Sequence, residues 1–255
     1  MAFPMRVDLA GKVAVVTGGG TGIGQAISRG LARCGAAVVV GYRESAAEAE
    51  VTVTAIEAEG GRACTCTADV GDEAQVGVLM DRAVERYGAL DILVANAGVT
   101  ATPRATAGLP AEEWEAILRT NCTGVFYSVK QALRHLPDDG RIIVTSSISG
   151  RSGAGPGALS YAAAKGAVNN MIRNWTRELA PRGITVNAIA PGIIWTRIHQ
   201  RGTPPDEYRK LIERVPLGRD GTPEDCVGGV LLLASAEGSY ITGQTIEING
   251  GMQMP

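Results

Sequence analysis

Short apolar runs alternate with helix-length segments from one end of the chain to the other. The pattern predicts strands at 13–17 (VAVVT), 37–42 (AVVVGY), 62–68, 90–95 (LDILVA), 141–146 (RIIVTS), 184–190 (ITVNAIA) and 244–248 (QTIEI). Helices are predicted near 22–34, 45–59, 72–87, 111–136, 160–180 and 223–235. The strands are β-branched and apolar on both faces, which suits a sheet covered on both sides. Strand–helix alternation with short connections then implies parallel strands and right-handed crossovers. The expected fold class is α/β: a doubly wound, seven-stranded parallel sheet with helices on both faces. No repeat, linker or charge run divides the chain, so one domain is expected over 1–255. The least regular stretch is 191–222, rich in Pro and Gly; a mobile substrate lid is expected at 195–216 within it.

Composition narrows the function. With 45% hydrophobic and 20% charged residues in 255, the chain can bury a large core without staples. Basic and acidic residues number 24 and 26, and no basic stripe runs along the chain, so nucleic acid and anionic membrane are not expected partners. Aromatics at 4% also argue against stacking on bases. The stretch MAFPMRVDLAGK carries no apolar leader segment, and five scattered cysteines fit a reducing compartment; a cytoplasmic location is expected. Cys64 and Cys66 are the one pair near ligand spacing, but the chain has only two histidines, His135 and His199, and no second pair. No metal site is expected; the two cysteines read as small residues on a buried strand.

The first strand runs into Thr17-Gly18-Gly19-Gly20-Thr21-Gly22-Ile23-Gly24 and then a helix. A strand-to-helix turn free of side chains lets a pyrophosphate approach the backbone, and the helix N-terminus adds N–H donors and a favourable dipole. Gly24 would allow close packing of helix on strand. The spacing differs from the literal G-x-G-x-x-G of dinucleotide sites. At the end of the second strand, where an NAD site places an acid, the chain has Gly41-Tyr42-Arg43-Glu44-Ser45. A guanidinium at Arg43 suits a 2′-phosphate, and Ser45 adds a hydroxyl. Glu44 could instead hold a ribose or pair with Arg43. NADP(H) is favoured, with NAD(H) as the alternative.

Tyr161-Ala-Ala-Ala-Lys165 opens a helix. Positions i and i+4 share a helix face, which brings phenol and ammonium together. A neighbouring ammonium favours the phenolate, so Lys165 is expected to lower the Tyr161 pKa and fit it for proton exchange with an alcohol or carbonyl oxygen. Ser147 ends the preceding strand and could bond the same oxygen, with Ser146 and Ser149 as alternatives.

The ordered set Thr17-Gly18…Gly22-Ile23-Gly24, Asp69-Val70, Asn96-Ala97-Gly98, Asn121, Ser147, Tyr161…Lys165, Pro191-Gly192…Thr196 and Ile241-Thr242-Gly243-Gln244 resembles the short-chain dehydrogenase/reductase family in its compact branch. The match runs from Lys12 to Gly251 and implies the Rossmann fold. It implies Tyr161 as general acid/base, Lys165 on the nicotinamide ribose, Ser147 orienting the substrate oxygen, and Asn121 holding a water that relays protons through Lys165. Ser147 is preferred to its two neighbours because, like the family's serine, it stands two residues and a glycine (Gly150) from the next segment. The resemblance further implies that Gly18, Thr21, Gly22 and Ile23 form the phosphate turn. Asp69 and Val70 would meet the adenine, Asn96 and Gly98 would keep the fourth strand's end near the cofactor, and Pro191, Gly192, Ile194 and Thr196 would border the nicotinamide. Ala95 stands where the family often has Asn. Ser147 precedes Tyr161 by 14 residues where 13 is commoner, which points to one inserted residue in 151–160.

The expected activity is an NADP(H)-dependent oxidoreductase on a small ketone or secondary alcohol. Within the family the runner-up is a 3-oxoacyl-[acyl-carrier-protein] reductase. That carrier is acidic and needs a basic rim; Arg173 and Arg182 could supply one, while Asp138 and Asp139 would oppose it. A non-catalytic dinucleotide-binding sensor is the alternative of another class, and the intact set Asn121, Ser147, Tyr161 and Lys165 argues against it. The family's usual assembly makes a homotetramer the expectation, with the helix after Tyr161 and the one near 111–136 at a contact. The stripe Val168, Met171, Ile172, Trp175, Leu179 on the first of these reads chiefly as core. Arg197, His199 and Arg201 read as a solvated part of the lid, and His135 as a helix-end residue.

Overall fold

In the computed structural model, residues 7–100, 102–196 and 205–254 are described. Chain order is β1 (Val13–Val16), α1 (Gly22–Arg33), β2 (Ala37–Tyr42), α2 (Ala46–Ala58), β3 (Arg62–Thr67), α3 (Glu73–Tyr87) and β4 (Ile92–Ala95). Next come α4 (Ala111–Leu118), a π turn (Arg119–Thr123), α5 (Gly124–Ala132), β5 (Arg141–Thr145), α6 (Ser149–Ser152) and α7 (Leu159–Leu179). The last elements are β6 (Thr185–Pro191), α8 (Pro205–Ile212), α9 (Val227–Ala234) and β7 (Thr245–Ile248). All seven strands join one parallel sheet in the order β3-β2-β1-β4-β5-β6-β7.

Alternation along each strand builds two cores. Val13, Val15, Ala37, Val39, Leu93, Ile142, Val144 and Val186 face α3, α5 and α7. Ala14, Val16, Val38, Val40, Ile92, Val94, Ile143 and Ile189 face α1, α2 and α9. Apolar residues at every strand position are therefore required, which is why the strand pattern is continuous rather than alternating. α3 has an equally local cause: the Asp72 carboxylate accepts N–H bonds from Ala74 (3.0 Å) and Gln75 (3.2 Å), and Gly88 at φ 85° ends the helix.

Three differences from the sequence pattern have physical reasons. The helical stretch predicted as continuous over 111–136 contains a π turn, which inserts one residue and rotates the face of α5 relative to α4. The irregular stretch holds α8, anchored by Tyr208, Leu211 and Ile212 on Ile193, Val215 and Met252; part of the lid expected at 195–216 lies outside the described residues. Cys64 and Cys66 are half-buried rather than buried, because β3 is an edge strand. Among the described residues no cluster of His, Cys, Asp and Glu suits a metal, and no helix is long and apolar enough to cross a membrane. Val168, Ile172, Trp175 and Leu179 are core, as their spacing implied, with Met171 partly buried against them.

The β6–β7 connection hangs on one side chain. Asn187 is fully buried; its amide donates to the Ile241 carbonyl (2.7 Å) and its carbonyl accepts from the Gln244 N–H (3.0 Å). Asn187→Ala leaves both backbone groups unpaired and should cost about 3 kcal/mol, measured by urea unfolding.

Candidate active site

Strand order reverses between β1 and β4, so their carboxyl ends diverge and open a crevice. A cavity of about 880 Å³ lies there. Every cofactor and catalytic candidate from the sequence lines it, from Gly18, Thr21, Gly22 and Ile23 through Arg43, Ser45, Asp69, Val70, Asn96, Gly98 and Asn121 to Ser147, Tyr161, Lys165, Pro191, Gly192, Ile194 and Thr196. His199, Arg197 and Arg201 lie outside the described residues.

The glycine turn has the backbone its composition demanded. Gly18 and Gly22 sit at φ 63° and 53°, where a side chain is strained. A Cβ on Gly24 would overlap the Gly18 carbonyl oxygen, so α1 packs on the turn only with glycine there. Thr21 caps α1 without a side-chain bond, and no acid lies in the first turn. The first helical N–H groups and the positive dipole end are left for an anion. The roomy, side-chain-free cradle fits a dinucleotide.

Thr17 and Asn96 hold this turn against the rest of the site. The Thr17 hydroxyl oxygen accepts the N–H groups of Asn96 and Ala97, both at 2.9 Å. The Asn96 amide donates to the carbonyls of Thr17 (3.0 Å) and Gly18 (3.3 Å), and its carbonyl accepts from the Thr145 hydroxyl (3.1 Å). Sequence assigned neither threonine this part; a Thr at a strand end carries no local signal of it.

At the β2–β3 end of the cavity Arg43 pairs with Glu44 at 2.8 Å, both well exposed. The Asp69 carboxylate takes the Gly71 N–H (2.8 Å) and the Arg119 guanidinium (2.9 Å). Arg119 is another residue the sequence did not point to, contributed by the π turn.

At the other end, Ser147 lies just beyond β5, and Tyr161 and Lys165 share a face of α7. Lys165 is almost completely buried and donates to the Thr145 carbonyl at 2.7 Å. Burial lowers its pKa to about 8, against a small upward pull from the Cys122 thiol. The Tyr161 pKa is raised, not lowered as expected. Enclosure of the phenol outweighs its hydrogen bond with Ser147, and the Lys165 ammonium lies 5.8 Å from the ring centroid, engaged elsewhere. Tyr161 is therefore a protonated phenol at neutral pH.

The three serines differ in their surroundings. The Ser146 hydroxyl is buried and donates to the Asn169 carbonyl at 2.7 Å, behind the site. The Ser147 oxygen accepts the Ser149 N–H (3.1 Å) and meets Tyr161. Asn121 is fully buried in the π turn. Both its amide N–H groups are engaged, with the carbonyls of Val99 (2.9 Å) and Ile117 (3.1 Å), and its own carbonyl accepts the Val99 N–H (3.2 Å).

The charged residues weighed for an acidic carrier lie elsewhere. Asp138 and Asp139 precede β5, at the amino ends of the strands, whereas Ser147 follows its carboxyl end, so they do not oppose anything at the cavity. Arg182 is at that same amino end, bonded to Asp138 (3.0 Å) and the Leu136 carbonyl (2.6 Å). His135 meets Asp81 at 2.7 Å on the helical face. Residues missed by sequence on the cavity wall include Ser152, Ala154 and Gly155 at and after the end of α6, and Leu211, Arg214 and Met252.

Comparisons with known proteins agree with this geometry. A family model described as enoyl-(acyl carrier protein) reductase matches residues 18–253. The chain is 37% identical over 249 residues to a 3-oxoacyl-[acyl-carrier-protein] reductase of Synechocystis, covering 96% of this chain and 98% of that protein. A short-chain dehydrogenase/reductase from Serratia marcescens superposes with TM-score 0.92 at 37% identity, covering 96% and 99% of the two chains. A short chain dehydrogenase from Burkholderia cenocepacia, solved in complex with NADP, superposes with TM-score 0.90 at 37% identity, covering 96% and 98%. The chain belongs to the short-chain dehydrogenase/reductase family. It is an oxidoreductase of CH–OH and keto groups that uses a nicotinamide dinucleotide.

The buried ammonium has a measurable signature. Below pH 8 the folded protein holds a desolvated charge at Lys165; between about pH 8 and 10.5 the unfolded chain keeps the proton that the folded one has lost, so stability rises with pH there. Wild-type stability should therefore rise by about 3 kcal/mol from this group between pH 7 and 11, and Lys165→Met should abolish that rise while losing the bond to the Thr145 carbonyl, measured by urea unfolding of both proteins across the range.

Proposed function

We propose that the protein is an NADP(H)-dependent carbonyl reductase of small ketones, running in reverse as a secondary-alcohol dehydrogenase. The observation that carries this reading is the placement of Ser147, Tyr161 and Lys165 on one cavity with the glycine turn. The nicotinamide, when bound, donates or accepts the hydride. Tyr161, protonated at neutral pH, gives its phenolic proton to the carbonyl oxygen as that oxygen gains charge. The Ser147 hydroxyl, already hydrogen-bonded with Tyr161, donates to the same oxygen and fixes its direction. Lys165, with a pKa near 8, is poised to restore the proton and to hold a ribose hydroxyl. Both Asn121 amide donors are occupied, so its side chain acts by positioning Val99 and the π turn rather than by donating to a water.

Arg43 and Ser45 border the adenosine end, where the 2′-phosphate of NADP(H) would lie. The Burkholderia relative, solved with NADP, supports the same choice. Asp69 and Val70 would border the adenine, and Gly192, Ile194 and Thr196 the nicotinamide. Residues 195–216 would act as the substrate lid. The working assembly would be a homotetramer, with the exposed Phe126 of α5 on a contact face. The 3-oxoacyl-[acyl-carrier-protein] reductase reading is the runner-up, supported by the name of the Synechocystis relative.

Tyr161→Phe should lower kcat at least about a hundredfold while NADPH still binds within twofold of wild type, read from steady-state turnover and nucleotide fluorescence. Substantial residual turnover would remove the acid role. Arg43→Ala should weaken NADPH about tenfold or more and leave NADH nearly unchanged; equal losses would take the 2′-phosphate away from Arg43.

A further inference from the structure

Among the described residues, one cation on the cavity wall is left without a partner. Arg214 lines the cavity beside Leu211 and Met252, on the wall made by the end of α8 and the chain after β7. Its backbone is well fixed: the Arg214 N–H bonds the Leu211 carbonyl at 3.2 Å, and the next residue, Val215, is buried against Ile193 and Tyr208. Its guanidinium makes no ion pair or hydrogen bond with any described residue. Neighbouring arginines are compensated: Arg209 faces Asp206 at 3.6 Å, Arg219 grips Asp225 at 2.8 Å, and Arg151 meets Glu247 at 3.5 Å.

The distribution of acids sharpens the point. The carboxylates on the described cavity wall are Glu44 and Asp69, both on turns after β2 and β3 at the adenosine end. Each already has its own guanidinium, Arg43 and Arg119. The wall around Arg214 is otherwise apolar, with Ile193, Leu211 and Met252. Arg214 is exposed, so water serves its guanidinium, and an anionic group on a ligand entering the cavity can replace that water through two parallel N–H bonds. The cofactor's phosphates have their own sites at the glycine turn and Arg43, leaving the substrate as the source of that anion.

We propose that Arg214 recognises an anionic group on the substrate, so that the enzyme acts on oxo compounds, and the corresponding hydroxy compounds, that carry a carboxylate or phosphate. This rests on the carbonyl-reductase reading above. The role is one of substrate binding, separate from proton transfer at Tyr161.

The test compares matched neutral and anionic substrates with NADPH: a 3-oxo carboxylate against its methyl ester, and a 3-oxoacyl thioester of phosphopantetheine against that of N-acetylcysteamine. Wild type should prefer the anionic member of at least one pair. Arg214→Ala should lower kcat/KM on that member about 10–100-fold, chiefly through KM, and less than twofold on its neutral partner. Arg214→Lys should recover part of the loss. Loss confined to the carboxylate pair identifies a free oxo acid; loss confined to the phosphopantetheine pair identifies a phosphate. Equal losses within each pair, no wild-type preference for an anion, or a matching rise in the Kd for NADPH would each overturn the assignment of Arg214 alone. Failure of wild type to turn over any member would overturn the carbonyl-reductase reading and this assignment with it.

Discussion

The site depends on a knot of hydrogen bonds where three strands end. Thr17 comes directly after β1, Asn96 directly after β4 and Thr145 closes β5, and their side chains bond one another and the intervening backbone. In a parallel sheet the strand ends have no ladder partner beyond the last pair, so such bonds decide how those ends splay. Here they hold the glycine turn at a fixed offset from the Thr145 carbonyl, and that carbonyl in turn receives the Lys165 ammonium. The glycine turn and the Lys165 end of α7 are thus parts of one network rather than two features that happen to adjoin. The knot sits at the point where the strand order reverses, where the diverging ends of a doubly wound sheet leave room for a ligand.

Burial does much of the electrostatic work. The same enclosure that keeps the Tyr161 phenol protonated pushes Lys165 towards neutrality, so one group becomes a weaker acid while the other gives up its proton more readily. The expectation that the ammonium alone would acidify the phenol treated the pair as if it stood in water. Desolvation outweighs a cation whose donor is already committed to a backbone carbonyl. The Ser147 hydroxyl is the one neighbour that acts on Tyr161 in the other direction.

Much of the fold was legible because its cause is local and repeated. Each strand is apolar throughout since each meets a core on both faces, and strand ends agree with the pattern to within a residue or two. The glycine turn was legible because positive φ at Gly18 and Gly22 and the close approach at Gly24 admit little else. The other site residues came into view through spacing along the chain, and the resemblance supplied their order. What sequence could not show were partnerships between distant segments. Thr17 with Asn96, Arg119 with Asp69 and Ser146 with Asn169 are separated by 79, 50 and 23 positions, and none has a periodic signature. Asp138 and Ser147 misled for the opposite reason: they look close along the chain, but β5 runs between them and puts them at opposite ends of the strand.

The π turn at Arg119–Thr123 makes the length of this stretch as consequential as its composition. An ordinary helix advances by about 100° per residue, so losing a single residue here would let the backbone relax into regular winding while swinging Asn121 off Val99 and Arg119 off Asp69. Point substitutions in the stretch can be absorbed by repacking; a one-codon deletion cannot, since it alters phase. Homologous chains that drift in sequence through this segment should therefore still keep its residue count, a constraint visible in gaps rather than in letters.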